Sequence, residues 1–398
     1  MKHKTLFTLS LLAAFALLAV IPVLAQDEDF IFGIVLVGPR NDRGWSQAHY
    51  EAAEYVTETV PGTDFVYFES LNPADSPEST LRDVVNEMVA QGATLILTTS
   101  DEFEEDTDVV AVEFPDTMFV NISGDNVLTG EAPSNVGNLM GQMEWGKLIA
   151  GCAAGLKTDT GSIGYLGPLI NAETRRLASS AYLGARYCWE HYRGEDPAEL
   201  DFSVTWIGFW FNIPGVTLDP TEETNTFYDS GADVVISGID TTEAIVVAGQ
   251  RHAADETVYA IPYDFAGACE EAPDVCLGVP YFNWGPAYAD LVESAQLNEW
   301  EQSWEWIGPD WDDINNPDTS VVGFVTGPAM VGRNLDNLEE FIDDLAGYSR
   351  LVPNAFALWS GPLNLQDGTE LASNGQNVDV LDVWYLGQLL EGMAGASE

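Results

Sequence analysis

Positive charge is scarce in this chain. Its 398 residues carry 14 Lys and Arg against 64 Asp and Glu, a net charge of −50. So acidic a protein repels nucleic acid and anionic lipid, which excludes nucleic acid as a partner. Beyond residue 25 only ten Arg and two Lys remain. An anionic ligand would need a rare basic pocket, whereas neutral or cationic ligands suit the field. Long apolar runs are also missing past the N-terminal stretch, so no later segment can span a bilayer. Disorder is not indicated, because 46% of residues are hydrophobic.

Signatures of catalysis are missing as well. There is no G-x-S-x-G elbow and no H-E-x-x-H pair. Gly141-Gln142-Met143-Glu144-Trp145-Gly146-Lys147-Leu148 nearly matches a P-loop, but Leu148 replaces the magnesium-binding hydroxyl and Glu144 opposes phosphate. It reads as a helix start. Gly161-Ser162-Ile163-Gly164 with Gly167 reads as a strand and turn, not a dinucleotide fingerprint. No catalytic residue, metal or cofactor is expected. With 64 acidic residues, a close carboxylate pair of the glycosidase kind carries little weight.

Cysteine is limited to Cys152, Cys188, Cys269 and Cys276. An even count in an exported protein suggests two disulfides with three connectivities open. Cys269 and Cys276, with Pro273 between them, suit a local staple, and Cys152 then pairs with Cys188. The alternative, a zinc site, lacks its CxxC spacing. Export is read from the first 25 residues as a signal peptide: Lys2 and Lys4, the apolar Leu6 to Val20, and Val23-Leu24-Ala25 as a cleavage site. An uncleaved anchor is the other reading. No cysteine lies at the cleavage site to carry a lipid, so a secreted, periplasmic or cell-surface protein is expected.

What is present is an alternation of strand and helix. Strand-like runs fall at 30–38, 63–69, 94–99, 117–123, 161–167, 201–208, 232–238, 257–263 and 275–282. Helical stretches follow the first strand to about Val60, begin again at Ser76-Pro77, and recur at about 141–156, 172–192, 242–253, 285–298 and 335–347. This argues an α/β fold of parallel sheets covered on both faces, in two sheets because nine strands exceed one. The pattern restarts near Gly141. The turn-rich tail from Leu351 to Gln376 suggests a hairpin.

Ligands of open α/β sheets bind beyond the carboxyl ends of the strands. At those ends stand Asn41, Asp42 and Trp45; Ser100, Asp101 and Phe103; Phe209, Trp210, Phe211 and Asn212; Asp240; Tyr263 and Asp264; Asn283 and Trp284. Taken singly, a Trp there is a packing residue and an Asp a helix cap. Six such loops together describe a cleft for a flat, neutral, hydrogen-bonding ring, stacked on aromatics and held by carboxylates and amides. A sugar meets the same description. His49 reads as a packing or surface residue. Trp300, Trp304, Trp306 and Trp311 read as a packed lobe edge rather than a sugar platform.

In order, Val37-Gly38-Pro39 with Asp42, Gly44-Trp45 and His49, then Glu113-Phe114-Pro115-Asp116, Trp206 to Phe211, Gly231 to Val235 with Asp240, Asn283-Trp284-Gly285-Pro286, and Gly361-Pro362 with Gln366-Asp367-Gly368 carry a resemblance. The chain resembles the basic membrane protein (BMP) family of substrate-binding proteins, the purine nucleoside and nucleobase receptors of ABC importers. The resemblance implies the type I periplasmic-binding-protein fold, two doubly wound parallel-sheet lobes with a hinge. It implies lobes of residues 26–124 with about 264–312, and 125–263 with about 313–398. It implies stacking by Trp45 and by Trp210 or Phe211, with polar contacts from Asp42, Asp240, Asp264 and Asn283. Ser100, Phe103 and Trp284 complete the expected ligand-binding set. Nucleoside-binding members carry a Lys on the return strand, where this chain reads Tyr281-Phe282-Asn283-Trp284. The expected ligand is therefore a free base such as adenine, delivered by a monomer to ABC permease transmembrane subunits. A nucleoside or sugar receptor, or an extracellular carbohydrate-active enzyme, are the alternatives. Removing the Trp45 ring is expected to weaken binding and to leave the ligand-free protein as stable as before.

Overall fold

The computed structural model describes residues 29–398. The expected signal peptide, residues 1–25, lies outside the described residues. The chain enters at β1 (Phe30–Leu36), whose apolar FIFGIVL run is buried from Phe32 onward, and turns into α1 (Trp45–Thr59). Then follow β2 (Thr63–Phe68), α2 (Leu81–Ala90), β3 (Ala93–Thr99), α3 (Glu104–Glu113), β4 (Met118–Ile122), the one-turn α4 (Asn126–Thr129) and β5 (Val136–Gly141). Thr80 caps α2 by accepting from the Asp83 amide, so the helix starts there and not at Ser76.

Directly past β5 the chain crosses to the second lobe. That lobe holds α5 (Met143–Lys157), β6 (Ser162–Gly167), α6 (Ala172–His191), β7 (Asp201–Trp206), α7 (Pro220–Asp229), β8 (Val234–Ser237), α8 (Glu243–His252) and β9 (Tyr259–Ile261). A second crossover leaves through β10 (Gly278–Phe282) to α9 (Gly285–Gln296), which packs on α1, and to β11 (Trp304–Ile307). A third returns through β12 (Val322–Thr326), antiparallel to β10, to α10 (Arg333–Leu351). The tail adds the β13 (Leu363–Asn364) and β14 (Glu370–Ala372) hairpin, α11 (Val380–Trp384) and β15 (Met393–Ala394).

The first sheet has the order β11-β5-β4-β3-β1-β2 and the second β15-β7-β6-β8-β9, all neighbours parallel. Because β5 belongs to the first sheet, the first lobe runs to Gly141 rather than stopping at residue 124. Residues 136–141 (VGNLMG) were not expected as a strand, since two glycines and an asparagine dilute the apolar signal. The acidic α3 gives an equally weak helical pattern.

In the second lobe α5 and α6 lie unusually close. A methyl on Gly151 would sit 1.8 Å from the Ala181 carbonyl oxygen, and one on Gly184 2.0 Å from that of Leu148. Only glycine permits this approach. The wholly buried Cys152–Cys188 disulfide fastens the same pair, and Cys269–Cys276 closes a local loop. Closing a loop with a sequence separation of 36 is worth about 3–4 kcal/mol in the chain-entropy account. The double variant Cys152→Ala, Cys188→Ala is expected to lose about that much in urea unfolding.

Candidate functional site

The turn after β1 is organised by Asp42. Its Oδ1 accepts from the amides of Gly44 (2.9 Å) and Gln47 (3.0 Å), and its Oδ2 from that of Ser46 (3.0 Å). Asp42 thus caps α1 and sets the angle at which Trp45 leaves the sheet. Burial raises its pKa to about 6 in spite of these three donors. Next to it, Gly44 meets the other lobe: a methyl there would lie 1.6 Å from the carbonyl oxygen of Asp240.

Trp45 is only 8% exposed. Its Nε1 donates to the Thr99 carbonyl (2.7 Å), and its ring stands edge-on to His49, Phe282 and Trp284. Behind it Phe282, Trp284, His49 and Tyr288 form a continuous stack. His49 pairs through Nδ1 with the Tyr288 hydroxyl (2.6 Å), and burial holds its pKa well below the usual 6.5, so the ring is neutral. Trp284 is wholly enclosed in this stack, and the Asn283 amide is committed to the carbonyls of Pro317 and Ser320. Both lie behind the site, not in its wall.

Between the lobes is a small cavity. Val37, Trp45, Ser100, Asp101 and Ser123 line it from the first lobe; Glu173, Trp210, Asp240, Tyr263 and Asp264 line it from the other side. Of the residues expected from sequence, the fold brings together Trp45, Ser100, Trp210, Asp240 and Asp264. Asp42 is spent on the helix cap. Phe103 is buried in the first-lobe core and borders a neighbouring groove, and Phe211 packs edge-on against Phe209. Asn283 and Trp284 drop out for the reasons given. Glu173 escaped the sequence reading because it sits in the first turn of a helix, not in a loop. Its signal is an acidic residue behind the capping box of Asn171 and Thr174. Ser123, with φ 76°, follows β4, the one strand of that sheet centre whose end carries no aromatic.

The lobes touch across this cavity. The Trp210 indole donates to Asp101 Oδ1 (3.1 Å), and the Asn171 amide to Asp101 Oδ2 (3.2 Å). Arg43 pairs with Glu271 (2.5 Å). Trp384, from the tail, donates to Asp125 of the first lobe (2.7 Å) and stands edge-on to Trp304 and Trp306. The tryptophans of β11 thus form a packed lobe edge.

Four lining groups are carboxyls, and none of the lining residues is basic. Burial raises Asp101 to about 6, with Glu102 adding to it. Burial raises Glu173 to about 7 against the opposing pull of Arg176. Asp240 and Asp264 are pushed well up, by burial first. Asp264 sits at the left-handed φ of 69°, and among the described residues neither of its buried carboxylate oxygens has a hydrogen-bond partner. Two cations stand behind the wall. Arg176 is bonded to Glu144 (2.6 Å) and stacked on Trp384. Lys147 donates to the Ser237 carbonyl (2.7 Å). Among the described residues no group of three or more His, Cys, Asp or Glu is placed to hold a metal. The arrangement can stack a flat ring, accept several hydrogen bonds from it, and repel an anion.

Two outcomes follow from the geometry. Trp45 is a core residue as well as a cavity wall, so the expectation that its removal spares the ligand-free protein is overturned. Trp45→Ala is expected to lose about 3–5 kcal/mol of stability in chemical unfolding, because it empties a packed aromatic cluster. The second outcome concerns pH. A carboxyl whose folded pKa lies above its unfolded value binds more protons in the folded state. Its stabilising contribution is full below the unfolded value near 4 and is lost as pH rises through the folded one. With Asp42 and Asp101 at about 6 and Glu173 at about 7, the ligand-free protein should lose stability from about pH 4 to about pH 7. Urea unfolding across that range checks the sign.

Known proteins resemble this chain in sequence and architecture. Residues 31–189 match the Bmp family model, described as ABC transporter substrate-binding protein, PnrA-like. The chain is 29% identical over 275 residues to a protein of Haloferax volcanii named as an ABC transporter glucose-binding protein, TsgA13. That match takes in 69% of this chain and 63% of the relative, so the chain spans less than two thirds of that protein's length. It is 24% identical over 356 residues, 89% of each chain, to a purine-binding protein of Brucella abortus. Among solved structures, a solute-binding protein of an ABC transporter system from Aeropyrum pernix K1 superposes with a TM-score of 0.61 at 15% identity, over 83% of both chains. One from Conexibacter woesei gives 0.58 at 20% identity, over 81% of this chain and 96% of that one. The fold is the type I periplasmic-binding-protein fold. By its match over residues 31–189 and its architecture, the chain is similar to the Bmp family of PnrA-like ABC transporter substrate-binding proteins.

Proposed function

We propose that this protein is an extracytoplasmic receptor that encloses a purine base of the adenine type between its lobes and hands it, as a monomer, to an ABC permease. One observation carries the reading. A cavity between the lobes offers two indoles, Trp45 and Trp210, and four carboxyls, with no basic group in its wall. An aminopurine presents a flat face for stacking, worth about 1–3 kcal/mol per base by analogy with single-stranded nucleic acid. Its exocyclic amine and ring N–H groups are donors for carboxylates, and a protonated carboxyl among them can donate to a ring nitrogen. A nucleotide phosphate is refused by the same wall. Hinge closure around the base, through the three crossovers, gives the form a permease would recognise. The purine-binding name of the Brucella relative supports this choice.

A hexose is the second reading, favoured by the glucose-binding name of the Haloferax relative. Indoles stack on sugar faces and carboxylates accept from hydroxyls, so the same wall serves. Calorimetry with adenine, guanosine, glucose and ribose separates the two. Adenine is expected to bind at micromolar concentration or tighter and to be recovered unchanged, with glucose and ribose silent. Binding of glucose without adenine would replace the purine by the sugar, and turnover of any of the four would overturn the receptor reading.

A further inference from the structure

Among the described residues, Lys147 stands apart from the other cations. It lies on α5, in the stretch that mimics a P-loop, and is wholly buried. Its Nζ donates to the Ser237 carbonyl at the end of β8 (2.7 Å) and lies 3.2 Å from the centre of the Tyr263 ring. Tyr263 and the next residue, Asp264, both line the interlobe cavity. Among the described residues, Asp264 keeps two buried oxygens without a hydrogen-bond partner. A buried carboxylate with no donor is expensive unless a ligand supplies one or a cation stands nearby. Here both conditions meet at one residue.

Resting on the receptor reading above, we propose that Lys147 is a positioning residue of the interlobe site: its ammonium seats the Tyr263 ring and is the counter-charge of Asp264, so it decides how readily that carboxylate accepts a donor from the ligand. The other groups facing Asp264 cannot do this. Asp42 comes from the turn after β1, Asp240 from the end of β8 and Glu173 from α6, and all three are acidic. Tyr165 from β6 and Tyr263 itself are neutral phenols whose titration burial pushes upward. Arg176 is engaged with Glu144 and Glu173. Burial lowers Lys147 to about 7, and the charge of Asp264 works against that fall, so the two groups hold each other's charge. The consequence for specificity is direct. Lys147 pulls Asp264 toward its charged, accepting form against the effect of burial, and a ligand with an N–H or NH₂ group is selected there.

The test is the variant Lys147→Met, which keeps the volume and removes the charge. In ligand-free protein with ¹³C-carboxyl-labelled aspartate, the Asp264 signal is assigned from its absence in Asp264→Asn. Its titration midpoint is expected to rise by about one pH unit or more in Lys147→Met. Affinity for adenine at about pH 6.5 should fall about tenfold, the worth of one charge-assisted hydrogen bond, and the deficit should narrow as pH rises. Lys147→Arg should restore most of it. In the Asp264→Asn background the Lys147→Met change should alter affinity less than about twofold, which separates counter-charge from loss of packing. An unmoved Asp264 midpoint, or a deficit that persists in the Asp264→Asn background, overturns the proposal. If wild type binds glucose and not adenine, the purine reading fails and glucose takes its place in the same cycle, while the ligand-free titration decides the role of Lys147 regardless.

Discussion

The contact between the Gly44 backbone and the carbonyl of Asp240 governs the site. It lets a turn of the first lobe press directly on the second, with no side chain between them. The Asp101 carboxylate then reaches both the Trp210 indole and the Asn171 amide, and the carboxyls of both lobes are drawn into one small volume. Their raised pKa values are a consequence of that approach, because water that would solvate them is excluded. The cavity is acidic and aromatic for one reason: the lobes can come this close.

Such a site works against the stability of the fold that holds it. Buried acids with few donors destabilise the closed form until a ligand brings its own, and a strained residue such as Asp264 persists because its surroundings over-determine it. The rigid parts absorb the load. The stack of Phe282, Trp284, His49 and Tyr288 gives Trp45 a fixed backing, with every ring neutral. Asn283 holds the second crossover to the third by bonding to Pro317 and Ser320. Residues that look like ligand contacts in the sequence are here the frame behind the contacts.

That distinction explains what was legible. Apolar runs such as Phe30 to Leu36 and Ala93 to Thr99 announce buried parallel strands, and the loops after them announce the cleft, so the fold and half of the expected wall could be read directly. Whether a side chain of such a loop turns inward depends on neighbours far along the chain. Asp42 and Trp45 stand three residues apart, yet one is consumed by a helix cap and the other faces the cavity. Trp284 is hidden by His49 and Tyr288, whose placement depends on the docking of α9 against α1. Glu173 and Lys147 lie on helices, where the period of the sequence speaks of core and surface but not of a distant cleft. β5 went unread because glycine and asparagine serve in its middle, where Asn138 bonds the Val127 amide.

The tight pairing of α5 with α6 bears on how the molecule moves. Residue 141 ends the first sheet and residue 143 begins α5, so that helix is mounted almost directly on the pivot. Gly151, Gly184 and the Cys152–Cys188 bond lock it to α6, whose opening turn carries Glu173 into the cavity wall. The two helices run side by side in the same direction, and their first turns meet where Arg176 bonds Glu144, so Glu173 and the crossover lie at one end. The cavity wall at Glu173 and the crossover after Gly141 therefore belong to one stiff block, and neither can shift without the other.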